Sequence, residues 1–392
     1  MIPLLIGVGG AGCRIGDLLL TRGSSKAPFS GLLLDSQSSD LQFASHRRKI
    51  LLGEKVVEGH GTGGSVEVGR EILEMERSQI LKEVDALKGR RDCFFVVSAM
   101  GGGTGGAVAA LLEELKKGYS EPVYYAGILP SEEDPERVAV NFSETFKGLL
   151  AHCDAVFPID NDLLKEKGRL TASYNRINER VARAFRDLFE IGEYKSREEL
   201  GENVINVSDV FNTLTGVSTI GYEAISLKSG PLGFLVKKEE ENKPEMVVNL
   251  TKEAMARTLF PINSKDAARG LVVVSGPRKF LGSVGSIPAR LWVASNIGGV
   301  EVRGGDMPSE GDELEVAVVL SGVKKSDRLK YIYQLGRLFK SKSAHSEKIS
   351  RIFDKAKVLN AKLLEFQEEF QGMYEEMKEM VAEPQEKDKE PI

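Results

Sequence analysis

The chain has little of what builds covalent or metal frameworks. Its 392 residues include three cysteines and four histidines. Cys13, Cys93 and Cys153 lie far apart and are odd in number, and His46, His60, His152 and His345 are as scattered. Neither a disulfide framework nor a zinc site follows from such spacing. No uncharged apolar run reaches the ~18 residues of a membrane span. The opening Met-Ile-Pro-Leu-Leu-Ile-Gly is too short for the apolar centre of a secretion signal and lacks its basic start. Positive charge is not in excess, since 53 Lys and Arg face 58 Asp and Glu for a net charge of −5. A basic nucleic-acid footprint is therefore not expected. These absences imply a cytoplasmic, reduced protein with no bound zinc, no nucleic-acid partner and no direct membrane insertion.

What is present is apolar material in short runs. Leu4–Ile6, Gly31–Leu34, Cys93–Val97, Val123–Leu129 and Ala155–Ile159 read as buried strands, with amphipathic stretches between them. Continuous apolar runs suit a parallel sheet covered on both faces by crossover helices. The expected fold is therefore α/β: a doubly wound N-terminal domain over residues 1–170, then a connecting helix over 171–192 that Gly192 ends. A smaller α/β domain is expected over 204–323. Its strand candidates are Phe234–Val236, Met246–Val248, Leu271–Val274, Leu291–Ala294 and Leu314–Val319, with Lys237–Pro244 as an exposed loop. C-terminal helices follow over 326–382. One runs from a Ser326-Asp327 cap, and a second carries a heptad seam from Ile349 to Met377 that packs either on its own domain or on a partner. Residues 383–392 read as a disordered tail.

Glycine is concentrated at three junctions. Gly7-Val-Gly9-Gly10-Ala11-Gly12-Cys13 follows the first strand and leads to a helix expected from about Arg14. Gly101-Gly102-Gly103-Thr104-Gly105-Gly106 follows the strand ending at Val97-Ser98 and precedes a helix expected over Ala107–Leu115. Gly61-Thr62-Gly63-Gly64 precedes a helix from about Val66. A turn needs one or two glycines. Five in six residues make sense as a loop whose backbone N–H groups wrap an anion at a helix start, with the Thr104 hydroxyl adding a donor. Three such loops on one sheet edge suggest a triphosphate held from several sides. A base site is suggested by Asn161 beyond the strand Val156–Ile159, and by Tyr174 and Asn178, four apart on one helix face. Tyr stacks on a purine, and Asn offers a donor and an acceptor to its edge. Asn161 also reads as an ordinary turn residue.

These motifs together resemble the tubulin/FtsZ superfamily. Gly101–Gly105 matches its GGGTG[ST]G loop, while Gly106 and Ala107 depart from the last two positions. Gly9–Cys13, Asp35-Ser36-Gln37 and Gly61–Gly64 followed by Glu67-Val-Gly-Arg70 keep the family's loop order. The segments Ile159–Leu163 and Tyr174–Asn178 are similar to the archaeal CetZ branch, and FtsZ is a near neighbour. The resemblance implies a GTPase that polymerises head to tail into filaments, with GTP/GDP and Mg²⁺ as cofactors. Phosphate contacts then fall to the glycine loops and Thr104, and guanine contacts to Asn161 and Asn178 with Tyr174 stacking. Asp134 aligns with the ribose-contacting acid, and Glu136 competes with it.

In this family a neighbouring subunit completes the pocket with an acidic loop. Here that loop corresponds to Val204-Ile-Asn206-Val-Ser-Asp209. Asn206 and one acid, Asp209, remain of an NxDxxD pattern, and Asp209 reads equally as a helix N-cap. One carboxylate that orients water can suffice, because phosphoryl transfer is mainly positioning and charge stabilisation. The chain itself is the implied partner, with accessory or membrane-adaptor proteins beside it, and cell-shape control is the implied task. Rival readings are an FtsZ-like division protein, a nucleotide-binding polymer with negligible hydrolysis, and a dinucleotide oxidoreductase. The oxidoreductase leaves Gly101–Gly106 unexplained.

Overall fold

Alternation within single strands explains the main sheet. In Cys93–Ala99, Cys93, Phe95 and Val97 enter one apolar core while Phe94 and Val96 enter another on the opposite face. Such a strand must be covered on both sides. The computed structural model describes residues 1–22, 29–164, 170–193, 203–227 and 242–342. Met1–Arg337 form one compact unit and Leu338–Ile392 a second.

The first half runs β1 (Pro3–Val8), α1 (Gly9–Thr21), β2 (Ser30–Asp35), α2 (Ser38–Gln42), β3 (Lys49–Leu51) and α3 (Glu54–Val57). It continues with α4 (Val66–Met75), α5 (Arg77–Ala86), β4 (Cys93–Ala99), α6 (Gly103–Gly106), α7 (Ala109–Gly118), β5 (Val123–Ile128) and α8 (Glu136–His152). Then come β6 (Ala155–Ile159), α9 (Asn161–Leu164) and the connecting helix α10 (Leu170–Glu190), beyond which Gly192 adopts φ 78°. Next are α11 (Val207–Thr213) and β7 (Gly216–Val217), which closes the first sheet in the order β3-β2-β1-β4-β5-β6-β7, all pairs parallel. The order reverses between β1 and β4, and open α/β sheets bind ligands at the carboxyl ends of strands at such a switch point.

The second sheet has the order β10-β9-β11-β8, from β8 (Thr219–Ser226), β9 (Arg269–Pro277), β10 (Glu301–Ser309) and β11 (Glu313–Ser321). Its helices are α12 (Lys243–Ala256), α13 (Arg278–Val284) and α14 (Ile287–Asn296). From residue 327 the chain is helical again, and the Ser326 hydroxyl accepts the Leu329 N–H at 3.2 Å.

Several expectations are corrected. Met246–Val248 and Leu291–Ala294 are helical, not strands. In α12 the buried Val247, Leu250, Thr251 and Ala254 follow helical spacing, and both α12 and α14 carry Pro in their first turn. Short apolar runs do not separate strand from helix, whereas proline just upstream does. The polar edge strand β10, with Pro308 inside it, carries no apolar signal. The first helix starts at Gly9, not near Arg14, and the second glycine cluster winds into α6 before α7 starts at Ala109. Gly9–Gly12 and Gly103–Gly106 thus form helix first turns, whereas Gly61–Gly64 remain a loop ahead of α4. The strand expected at Phe234–Val236, most of the loop 237–244, the heptad seam and the 383–392 tail lie outside the described residues. Among those described, no helix is long and apolar enough to cross a membrane.

Candidate functional site

A cavity of about 290 Å³ opens at the switch point, lined by the starts of α1 and α6, the end of β2 and the segment His60–Gly64. Gly9, at φ 73°, takes a left-handed conformation between β1 and α1 that side chains resist. Gly12 lets α1 lie against β4, since a Cβ there would stand 2.2 Å from the Val97 carbonyl oxygen. No side chain caps α1, so its first N–H groups stay available at the cavity wall beside the positive end of the helix dipole.

Side chains tie the glycine segments Gly61–Gly64 and Gly101–Gly106 to each other and to the end of β2. Ser36 and Thr104 share a buried hydroxyl–hydroxyl bond of 2.6 Å. The Asn141 amide on α8 donates to the carbonyls of Gly64 (3.0 Å) and Gly101 (2.9 Å), and Arg137 donates to Gly63 (3.0 Å). Ser98 donates to the Gly105 carbonyl at 2.9 Å.

One buried acid stands in this wall. Asp35 is 2 % exposed; its Oδ1 accepts the Gln37 N–H at 3.2 Å, and its Oδ2 is buried with no hydrogen-bond partner among the described residues. Burial pushes its pKa up to about 6. Asp40 also lines the cavity and pairs with Arg14 at 3.1 Å. Nearby, the Cys13 thiol donates toward the Leu34 and Gly7 carbonyls at 3.5 and 3.7 Å. Burial, reinforced by Asp35 and Asp40, raises its pKa, so it stands as a neutral thiol rather than a nucleophile.

Of the residues singled out in the sequence, Gly9, Gly10, Ala11, Asp35, Gly63, Gly64, Gly102, Gly103, Thr104 and Gly105 line this cavity. Gly12, Gly101 and Gly106 are buried behind it, Gly101 against Val138 and Gly106 with its carbonyl accepting from Thr145 at 2.7 Å. Cys13 and Asn178 line a second cavity of about 320 Å³ between α1, α2 and α10, which Asp40 also borders. Asn161, at the start of α9, and the 37 % exposed Tyr174 line neither. Nor do Asp134, whose carboxylate accepts the Ser131 N–H at 2.8 Å, and Glu136 in the first turn of α8.

Sequence reasoning passed over Phe43 and Asn175, which line the second cavity, and over Arg137 and Asn141. Phe43, 84 % exposed, had a signal: the one aromatic between Phe29 and Phe94. Asn141 had none, because its partners are carbonyls distant in sequence.

Asn206 and Asp209 sit elsewhere, at the start of α11. Asn206 is the N-cap and accepts the Asp209 N–H at 3.1 Å, while Asp209 accepts the Asn206 N–H at 2.9 Å. Asp209 is therefore the third residue of a capping box and not the cap itself. Its other oxygen pairs with Arg303 of β10.

A glycine-walled switch-point cavity, a long connecting helix and a second four-stranded sheet define a tubulin-like GTPase fold. The family description "Tubulin/FtsZ family, GTPase domain" matches residues 4–168, and "Tubulin-like CetZ, C-terminal domain" matches 168–337. The chain is 34 % identical to tubulin-like protein CetZ3 of Haloferax volcanii over 83 % of its own length and 89 % of the relative's. It is 28 % identical to tubulin-like protein CetZ of Pyrococcus horikoshii over 85 % and 88 % of the two chains. The structure of Haloferax volcanii CetZ2 in a GTPγS-bound protofilament superposes with a TM-score of 0.78 at 30 % identity, covering 88 % of this chain and all of that one. GDP-bound monomeric CetZ1 from the same organism gives 0.77 at 29 %, covering 87 % of this chain and all of that one. The chain belongs to the CetZ branch of the tubulin/FtsZ superfamily.

Proposed function

We propose that this chain binds GTP in the switch-point cavity, polymerises head to tail in the cytoplasm, and hydrolyses GTP where subunits meet, in the service of cell-shape control. The observation that carries the reading is the convergence of three glycine segments on one cavity beside an uncapped helix start. Amides of the cavity-lining Gly9–Ala11, Gly63–Gly64 and Gly102–Gly105, with Thr104, are the assigned phosphate donors, while Gly12, Gly101 and Gly106 back the wall. The cavity holding Cys13 and Asn178 is the natural base site, with Asn161 and Tyr174 from the same end of the sheet and Asp134 or Glu136 toward the ribose.

A divalent cation fits the donor set. Among the described residues no cluster of three or more His, Cys, Asp or Glu is placed to hold a metal. Mg²⁺ characteristically needs only one or two carboxylates beside phosphate oxygens. Asp35, with its unpartnered buried oxygen, is the residue to hold it. When bound, such an ion neutralises charge on the phosphates. The chain's amides orient the terminal phosphate, and Asn206 and Asp209 from the next subunit orient the attacking water.

Asp209→Ala is expected to abolish phosphate release while GTP binding persists. Phosphate release measured against protein concentration rises steeply for an assembly-dependent enzyme. Electron microscopy with GTP and with GDP reports the filaments. One observation favours a second reading, a polymer that scarcely hydrolyses: both Asp209 oxygens already have partners in the subunit. A flat, concentration-independent baseline with intact filaments selects it.

A further inference from the structure

Capping accounts for only half of the Asp209 carboxylate. Oδ2 serves the helix by accepting the Asn206 N–H, and Oδ1 is taken by Arg303, reached across from β10. The second terminal nitrogen of Arg303 donates to Glu301 Oε1 at 2.6 Å, and Glu301 also lies 3.6 Å from Arg269. Arg303 Nε is buried without a hydrogen-bond partner among the described residues. The side chains of Asp209, Arg303 and Glu301 are 20, 31 and 41 % exposed, so the cluster reaches the surface and is not sealed in a core. A guanidinium is a rigid planar fork. Bound to two acids on two elements, it fixes the rotamer of each. The pairing also brings a second carboxylate, Glu301, beside Asp209, although the loop at 204–209 carries one acid only.

We propose that Arg303 is a positioning residue for GTP hydrolysis: it holds Asp209 in the orientation in which that carboxylate meets the neighbouring subunit's nucleotide. The inference rests on the proposed role of the 204–209 loop. In the step, a water oxygen forms a bond to the terminal phosphorus. The bond from that phosphorus to the bridging oxygen breaks, and its electron pair leaves on GDP. The water protons pass to the phosphate products and solvent. Arg303 forms no bond to the reacting atoms. It keeps an Asp209 lone pair pointed at the water, and its positive charge offsets the repulsion between two acids and a polyphosphate.

The test uses the full chain with Arg303→Ala, Arg303→Lys and Asp209→Asn in parallel. It measures GTP binding, melting temperature, polymer formed with a slowly hydrolysed GTP analogue, and phosphate release per polymerised subunit. Arg303→Ala is expected to bind GTP and form analogue polymer like the wild type, with turnover down by about 100-fold, the effect of a misplaced catalytic group. Arg303→Lys, which keeps charge but not the fork, recovers part of that loss. Wild-type turnover in Arg303→Ala beside a silent Asp209→Asn overturns the proposal alone. Wild-type turnover in Asp209→Asn overturns the loop's role and the proposal with it. A turnover loss in Arg303→Ala that only tracks lost melting temperature or lost polymer makes the pair structural and overturns the proposal too.

Discussion

Asp35→Asn isolates the one buried acid in the nucleotide wall. The folded chain holds the Asp35 proton up to about pH 6, because burial disfavours the charged form. An unfolded chain releases it near 3.9, the value for a free Asp side chain. A folded-state value above the unfolded one means that the native state binds the extra proton between these limits. Stability therefore falls as pH rises from about 4 to about 6, and the full penalty persists above. A gap of about two between the folded and unfolded values corresponds to about 3 kcal/mol. Little is screened by solvent, since Asp35 is 2 % exposed. Asparagine keeps the shape and never ionises. The variant is thus expected to match the wild type near pH 4 and to exceed it by up to about 3 kcal/mol at pH 7.5. Urea unfolding of nucleotide-free protein at the two pH values measures the difference. Added Mg²⁺ and GTP should then narrow it at pH 7.5, because the wild-type carboxylate gains a partner that asparagine cannot match. A difference that stays constant with pH refutes the assignment of Asp35 as an uncompensated buried acid.

Three further substitutions probe the frame around it. Gly12→Ala drives a methyl group to 2.2 Å from the Val97 carbonyl and should lower stability by about 1–3 kcal/mol, read as a drop in melting temperature. Arg328→Met removes the guanidinium that pairs with Asp160 at 2.8 Å and Asp162 at 2.9 Å. It leaves Asp160, 3 % exposed, without its cation, and about 3 kcal/mol should be lost in urea unfolding. Most of that loss should return when Asp160→Asn is added. Asn141→Ala strips donors from the Gly64 and Gly101 carbonyls, which should cost about 1–3 kcal/mol of stability and weaken GTP in a fluorescence titration.

The inner strands of the first sheet were legible because they are buried on both faces and read as unbroken apolar runs, whereas its short outer strands Lys49–Leu51 and Gly216–Val217 are partly exposed and gave no such run. The glycine segments were legible because their density has no packing use. The second sheet was half hidden. Its outer strands were both missed, Glu301–Ser309 because it is polar and Thr219–Ser226 because Gly221 and Glu223 interrupt its apolar residues, and two of its helices carry proline in the first turn but contain apolar runs short enough to pass as strands. Arg137, Asn141 and Arg303 were invisible for a different reason. Each acts on at least one group between 40 and 94 positions away, and spacing along a chain says nothing of such pairings. Asp209 was found by position in a motif. Its bond to Arg303 had to be seen in three dimensions.

The strand Gly216–Val217 lies beyond the connecting helix and yet completes the first sheet, pairing with Ala155 and Val156. One continuous apolar body also takes in Leu5, Phe95 and Phe157 from that sheet, Phe185 from α10, and Leu271 and Val319 from the second. A truncation ending near residue 168 would therefore strip the rings of Phe95 and Phe157 of their cover and leave an unzipped edge, a recipe for clumping rather than a miniature enzyme. The same shared oil layer means that the two sheets cannot swing apart like halves of a locket. Any adjustment between them must be made by sliding greasy surfaces over one another.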